Sequence, residues 1–163
     1  RFKKPEDTTY PQMIELFTRN PDIQLLSGAH LTPVHISGDV SSLSAILLND
    51  DYYDFLLSGR QILDGFSVLG ERHLIPFKVK AWCELSARRQ AGEEGQSKHI
   101  RKHYRDVYRL LMLLSPNERI KLPEQLKADM QAFLDGIRQG DNKSGNINNE
   151  WLCKRLAEIY LSI

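Results

Sequence analysis

The sequence predicts an α+β protein, with a strand-containing first part over residues 1–70 and an α-helical lobe of about four helices over residues 71–163. Two observations predict this division. Apolar and polar residues alternate in the first part, which is typical of half-buried strands, and after Gly70 they recur at the spacing of amphipathic helices. The composition is that of an ordinary folded domain, because 41% of the 163 residues are hydrophobic and 26% are charged.

The first part contains short elements. The stretch QMIELF alternates and predicts a strand, and LTPVHI predicts a second strand that Pro33 places at an edge or a bulge. VSSLSAILL fits either a strand or a helix. NDDYYDFLLSG predicts a short helix that Asn49 or Asp50 caps and Gly59 ends, and GFSVL predicts a strand just before Gly70.

The second part contains four predicted helices. Residues 71–90 have helical periodicity, in which Pro76 fits only near the first turn. Ser97 is the expected cap of a helix that runs to about Leu114. A third helix covers residues 123–138, and the last carries the apolar residues Trp151, Leu152, Leu156, Ile159 and Tyr160.

Charge and cysteine content narrow the class of protein. The net charge is +1, so a nucleic-acid site would have to come from local clustering of cations. Cys83 and Cys153 are isolated, which favours a reduced, cytoplasmic protein over a disulfide framework. No apolar run approaches the ~20 residues that a membrane span needs, so no membrane partner is expected.

A lysine interrupts the apolar stripe of the helix at residues 71–90. On a helical wheel, Lys78 falls within the stripe that Leu74, Phe77, Ala81 and Leu85 define and that Ile75 and Trp82 widen. A buried unpaired ammonium is costly, so Lys78 must reach solvent, pair with an acid or contact a ligand anion. The pattern leaves a structural and a functional role equally open.

The stretch IRKHYRDVYRLL predicts a helix with three faces. Its apolar stripe consists of Ile100, Tyr104, Val107, Leu111 and Leu114, and the cations opposite are Lys98, Arg101, Lys102, Arg105 and Arg109. Asp106 lies on the flank between them, near His99 and His103. It can pair with Lys102 one turn earlier, or with Lys78 on the preceding helix, and we expect the second pairing.

Two other signals are weaker. Glu15 shares a strand face with Met13 and Phe17, where a carboxylate needs hydrogen-bond donors or a metal ion, although an edge position explains it as well. His99 and His103 have the spacing of a zinc-binding pair. No acid or cysteine completes such a site, so the pair is not predicted to hold a metal.

Four stretches together resemble the C-terminal portion of AbiEii/AbiGii-type nucleotidyltransferases, bacterial relatives of abortive-infection and toxin–antitoxin toxins. They are YPQMIELFTR, DVSSLSAILLNDDYYDFL, HLIPFKVKAW and RKHYRDVYRLL. The resemblance covers roughly residues 1–115, and its most specific part is a lysine on one helix followed by an Arg-Asp motif on the next. It implies a DNA polymerase β-like nucleotidyltransferase core, whose remainder would be residues 1–70, and a helical C-terminal lobe.

The resemblance also implies an activity and roles for three residues. The family's reaction would transfer a nucleoside monophosphate from an NTP, with Mg²⁺, to a nucleic-acid or protein acceptor. An RNA such as tRNA and a cognate antitoxin protein would be its partners. Glu15 occupies the position of a catalytic, metal-binding carboxylate, and Lys78 matches the lysine that contacts the nucleotide phosphates. Asp106 matches the acid of the Arg-Asp motif, which would support the active site or act as its base.

The chain departs from this family at one point. It lacks the Gly-Ser turn and Asp-x-Asp strand that hold the nucleotide and the metal ions, and too few residues precede Glu15 to contain them. Because the chain also lacks an initiator Met, we expect a fragment, or else a non-catalytic remnant, that is inactive alone. The alternative is a non-catalytic helical domain that binds nucleic acid through Arg101, Arg105 and Arg109, or binds a protein partner.

Overall fold

A computed structural model describes residues 2–3, 9, 13–14, 16–19, 45–140 and 147–162 of the chain. This part contains five helices and three two-stranded sheets, which confirms the α+β class. The chain divides into two compact units, residues 1–53 and 54–163. None of the described helices is both long enough and apolar enough to cross a bilayer.

The first unit contributes four short strands to the described part. They are β1 (Phe2–Lys3), β2 (Met13–Ile14), β3 (Leu16–Arg19) and β4 (Ala45–Leu48). β1 pairs with β2 in antiparallel fashion, and β3 pairs with β4 in parallel. The strand predicted over QMIELF therefore corresponds to β2 and β3, and the described end of VSSLSAILL is a strand. The strand predicted over LTPVHI lies outside the described residues.

Helix α1 (Asp50–Ser58) is present as predicted, with Asn49 as its cap. The Asn49 side-chain oxygen accepts a hydrogen bond from the Tyr52 backbone N–H at 3.0 Å, which satisfies one of the free donors of the first turn. The division between the two compact units falls inside α1, whereas the sequence predicts a boundary at residue 70.

A β-hairpin follows α1. Its strands are β5 (Arg60–Leu63) and β6 (Phe66–Leu69), and they pair in antiparallel fashion. β6 is the strand predicted over GFSVL, but β5 is not predicted. Asp64 and Gly65 form the turn with positive φ angles of 49° and 81°, the conformation that favours Asp-Gly in a two-residue hairpin loop.

Four helices form the rest of the second unit, close to the predicted positions. They are α2 (Glu71–Gln90), α3 (Ser97–Leu111), α4 (Glu124–Arg138) and α5 (Asn149–Tyr160). Helix α2 packs against α3 and α4, and α4 packs against α5. Two details differ from the prediction: Gln96 is the N-cap of α3 and Ser97 is its first residue, and Trp151 is exposed.

Close packing between α2 and α4 depends on a glycine. The Trp82 ring meets the Phe133 ring edge to face, with ring centroids 4.9 Å apart. A Cβ atom at Gly136 would lie 2.5 Å from the same Trp82 ring, so only glycine lets the helices approach this closely. The α2 helix is thereby fixed against the core on the side that faces α4.

Pro76 lies inside α2, beyond the first turn to which the sequence analysis confined it. Proline has no N–H, so the Arg72 carbonyl, four residues earlier, loses its partner within the helix. The Tyr160 hydroxyl of α5 donates a hydrogen bond to this carbonyl at 2.9 Å. The tertiary structure therefore satisfies the group that the proline leaves free, which explains why the helix continues through it.

Candidate functional site

Lys78 lies at the edge of the buried face of α2, not within it. The four residues that define the predicted stripe, Leu74, Phe77, Ala81 and Leu85, are only half-buried, whereas Ile75 and Trp82, which widen it, are buried. The fully buried face is rotated from it and consists of Ile75, Pro76, Val79, Trp82 and Ser86. The Lys78 side chain is 26% exposed, so its ammonium group reaches the surface next to α3.

Asp106 meets Lys78 from the neighbouring helix. The Lys78 Nζ atom lies 3.7 Å from Asp106 Oδ2, and Lys102 Nζ lies 2.8 Å from the same oxygen. The two pairings that the sequence left open are both present. Asp106 is 21% exposed, on the flank of α3 between its buried stripe and its cationic face. One carboxylate therefore holds two ammonium groups from two helices.

Neighbouring lysines keep the Asp106 carboxyl ionised. Burial alone would raise the pKa of the Asp106 carboxyl, but the hydrogen bond from Lys102 and the charges of Lys102 and Lys78 outweigh this effect and lower the pKa below its ordinary value. Asp106 is therefore ionised at neutral pH. The three side chains together carry one net positive charge.

His103 also belongs to this cluster, although the sequence does not predict a role for it here. It is half-buried on α3, three residues before Asp106, and its Nδ1 atom is fully buried without a hydrogen-bond partner among the described residues. Burial, and then the charges of Lys78 and Lys102, lower the pKa of His103 to about 4. The imidazole is therefore neutral at pH 7. The sequence could have indicated this position, because His103 lies three residues before Asp106 and residues at this spacing share a helix face.

The basic face of α3 consists of five exposed side chains: Lys98, Arg101, Lys102, Arg105 and Arg109. All five, with His99 and Asp106, line a cavity of about 410 Å³. Asp106 is the one carboxylate among the described lining residues. The electrostatic character of this surface therefore favours anions.

Neither cysteine offers a nucleophile in the described fold. Burial raises the pKa of the Cys83 thiol to about 12, and its Sγ atom donates a hydrogen bond to the Asp129 carbonyl at 3.4 Å. Burial also raises the pKa of Cys153. A thiolate is the reactive form, so both thiols are expected to be inert at neutral pH.

Glu15, the predicted catalytic and metal-binding carboxylate, lies outside the described residues. Within residues 45–140 and 147–162, no group of three or more His, Cys, Asp or Glu side chains is arranged to hold a metal ion. The described part of the site consequently does not fit a Mg²⁺ ion on its own. What it presents is a set of cations with one carboxylate, which suits a phosphate-bearing ligand.

Comparison of the chain with protein-family models, curated proteins and solved structures gave no match. The functional assignment therefore depends on the geometry of α2 and α3 and on the resemblance of the motifs that these helices carry.

Proposed function

We propose that the chain is the C-terminal part of a nucleotidyltransferase-like protein of the toxin or abortive-infection type. Such a protein would transfer a nucleoside monophosphate from an NTP to a nucleic-acid or protein acceptor. In this proposal Lys78, with Lys102 beside it, contacts the nucleotide phosphates, and Asp106 fixes the two lysines. The observation that carries the proposal is the 3.7 Å approach of Lys78 Nζ to Asp106 Oδ2 across α2 and α3.

The partial exposure of this ion pair supports a role in binding. The side chains of Lys78 and Asp106 are 26% and 21% exposed, so a ligand can reach both of them. Two ammonium groups share one carboxylate, so positive charge remains for a ligand. Phosphoryl transfer depends mainly on positioning and on stabilising charge at the transferring group, which cations held in this way can supply.

The proposal includes Mg²⁺ and Glu15 as parts of the complete protein. A metal ion bound with the NTP would neutralise charge on the phosphates during transfer. The described residues do not by themselves form a site for this metal ion. The proposal assigns contact with phosphate oxygens to Lys78 and Lys102, and to Asp106 only the positioning of these two lysines.

The first experiment replaces each member of the pair in the complete protein. Lys78→Ala and Asp106→Ala should each lower transfer of radiolabelled nucleotide to RNA by about 10²- to 10³-fold, the usual cost of losing one electrostatic contact in the transition state. Lys80→Ala is the matched control, because Lys80 lies on the same helix and pairs with Glu84 at 2.8 Å. Circular dichroism should show intact helices in all three variants.

Charge exchange separates this proposal from a purely structural pair. A structural pair should tolerate Lys78→Asp combined with Asp106→Lys, because the attraction between the helices is retained. A phosphate site should not tolerate it, because the cation moves to the other helix. Nucleotide transfer at the wild-type rate by Lys78→Ala, by Asp106→Ala or by the double variant with exchanged charges would contradict the proposed function.

A second candidate function is the binding of nucleic acid without catalysis. The observation that favours it is the exposure of Arg101, Arg105 and Arg109 along one side of α3, at a spacing that could follow a phosphate backbone. Solvated charge alone also explains such a face. Steep loss of affinity with added salt is the property that would identify nucleic-acid binding.

A further inference from the structure

A buried nitrogen without a partner is the least expected feature near the Lys78–Asp106 pair. The Nδ1 atom of His103 is closed to solvent and makes no hydrogen bond in the described part of the chain. Buried polar atoms are nearly always hydrogen-bonded, so such an atom calls for an explanation. The other ring nitrogen, Nε2, is the one that remains to make a hydrogen bond outside the core.

Burial of His103, and then the charges around it, keep its ring neutral by lowering its pKa. Lys78 on α2 has the largest effect of any charged group on this histidine, followed by Lys102 on α3. Asp106 opposes them, and His99 adds a smaller effect in the same direction as the lysines. Burial acts together with the two lysines, and the pKa of His103 falls to about 4. At pH 7 the imidazole is thus a neutral group within a cationic cluster.

The position of the ring proton follows from the buried nitrogen. A neutral imidazole carries one N–H, on either Nδ1 or Nε2. An N–H on Nδ1 would be an orphaned buried donor, which is rarer in proteins than an under-satisfied acceptor. We therefore assign the proton of His103 to Nε2, which leaves a lone pair on Nδ1. The group that His103 presents to a ligand is then a neutral N–H donor.

We propose that His103 Nε2–H donates a hydrogen bond to an oxygen of the phosphate chain that Lys78 and Lys102 bind. This inference rests on the proposed function, since it adds a third contact to the same site and names a polyphosphate as the ligand. A neutral donor is suited to this place. It contributes a directed hydrogen bond without adding a third cation to two ammonium groups that already repel each other.

The test uses residues 1–163 and inorganic tripolyphosphate, with the dissociation constant measured by calorimetry at low salt. His103→Asn should weaken binding about tenfold, because its amide nitrogen falls near the position of Nδ1 and the donor at Nε2 is lost. His103→Gln places an amide nitrogen near the position of Nε2, so its affinity should stay within about twofold of the wild type. His73→Gln is the control, because His73 is a histidine of α2 that does not line the cavity on α3.

A measurement on the wild type does not depend on whether the variants fold. The ring nitrogens of His103, identified by comparison with His103→Gln, should show the Nε2–H tautomer at pH 7 by NMR. The Nε2 resonance should shift when tripolyphosphate is added. An Nδ1–H tautomer, or an unchanged resonance at saturating tripolyphosphate, would overturn the inference about His103.

The outcomes separate this inference from the function on which it rests. In one outcome, tripolyphosphate binds the wild type, Lys78→Ala abolishes binding, and both His103 variants bind like the wild type. His103 then lies outside the site, and the proposed function stands. If both His103 variants weaken binding equally, the residue acts through the fold and the inference is wrong. If tripolyphosphate does not bind the wild type, the phosphate site itself is refuted.

Discussion

At the scale of single residues, the helical wheel predicted which face of a helix each polar residue occupies, but not the surroundings of its individual atoms. It placed Asp106 on a flank of its helix and named Lys78 as its partner, and the structure shows that ion pair at 3.7 Å. It did not single out His103, whose spacing from His99 drew attention to zinc. Periodicity reports which side of a helix a residue occupies. It does not report that one ring nitrogen of a half-buried histidine is closed to solvent.

The low pKa of His103 predicts a loss of stability in mild acid. Between pH 6.5 and about 4 the unfolded chain binds a proton at this histidine that the folded chain does not, so acid favours unfolding. The stabilising effect is complete above pH 6.5 and is lost as the pH falls towards 4. We expect a loss of about 1–2 kcal/mol at this residue, less than the full linkage value because the ring is half exposed.

The measurement is the free energy of unfolding in urea at pH 7 and pH 4.5, compared between the wild type and His103→Gln. The variant cannot titrate at this position, so its stability should fall less over the same interval. His73, whose pKa is lowered by burial and by Arg72, is present in both proteins and cancels in the difference. His99→Gln controls for loss of an imidazole on the same helix. Equal pH dependence in wild type and His103→Gln would contradict the prediction.

At the scale of elements, the sequence predicted helices better than strands. Helices α1 to α5 all lie close to their predicted ranges, because long amphipathic periodicity is a strong local signal. Strand β5 was not predicted, although Asp64-Gly65 is a strong hairpin turn. The sequence of Arg60–Leu63 does not alternate between polar and apolar residues, and the strand is exposed throughout. The rotation of the buried face of α2 was not predictable either. Ser86 is buried there, and a wheel that counts apolar residues excludes it.

Continuation of α2 through Pro76 depends on a contact from another element. Tyr160→Phe removes the hydroxyl that donates to the Arg72 carbonyl at 2.9 Å and leaves this carbonyl without a partner. Burial raises the pKa of Tyr160, so the hydroxyl is a protonated donor throughout the neutral range. We expect a loss of about 1–2 kcal/mol in the free energy of unfolding, measured by urea denaturation.

A double-mutant cycle checks the cause of that loss. Pro76→Ala restores an N–H that can reach the Arg72 carbonyl from within the helix, so Tyr160→Phe should cost clearly less in that background. Tyr108→Phe, which removes a hydroxyl from a half-buried tyrosine of α3, is the control. The same cost with and without Pro76 would show that the tyrosine stabilises the fold in some other way.

At the scale of the whole molecule, the sequence predicted the class but not the pairing of elements. An α+β chain with strands first and helices later follows from local patterns. The parallel pairing of β3 with β4, and the packing of α2 against α4, join segments that are distant in sequence. The Lys78–Asp106 site depends instead on the packing of α2 against α3, the next helix along the chain. Its helices could be predicted, and their contact could only be proposed from two polar residues in unusual places.

The net charge of +1 conceals an uneven distribution, because α3 carries five exposed cations on one face. If this face binds single-stranded RNA, each neutralised phosphate should add about 0.7 to the slope of log affinity against log salt. Changing Arg101, Arg105 and Arg109 together to Gln should therefore reduce that slope by about 2, measured by fluorescence anisotropy between 50 and 200 mM salt.

A matched variant removes the same charge from exposed residues outside α3, namely Arg119, Lys121 and Lys154. A flat salt titration, or equal effects of the two triple variants, would reject this face as the nucleic-acid surface and leave the phosphate site at Lys78 and Asp106 untouched.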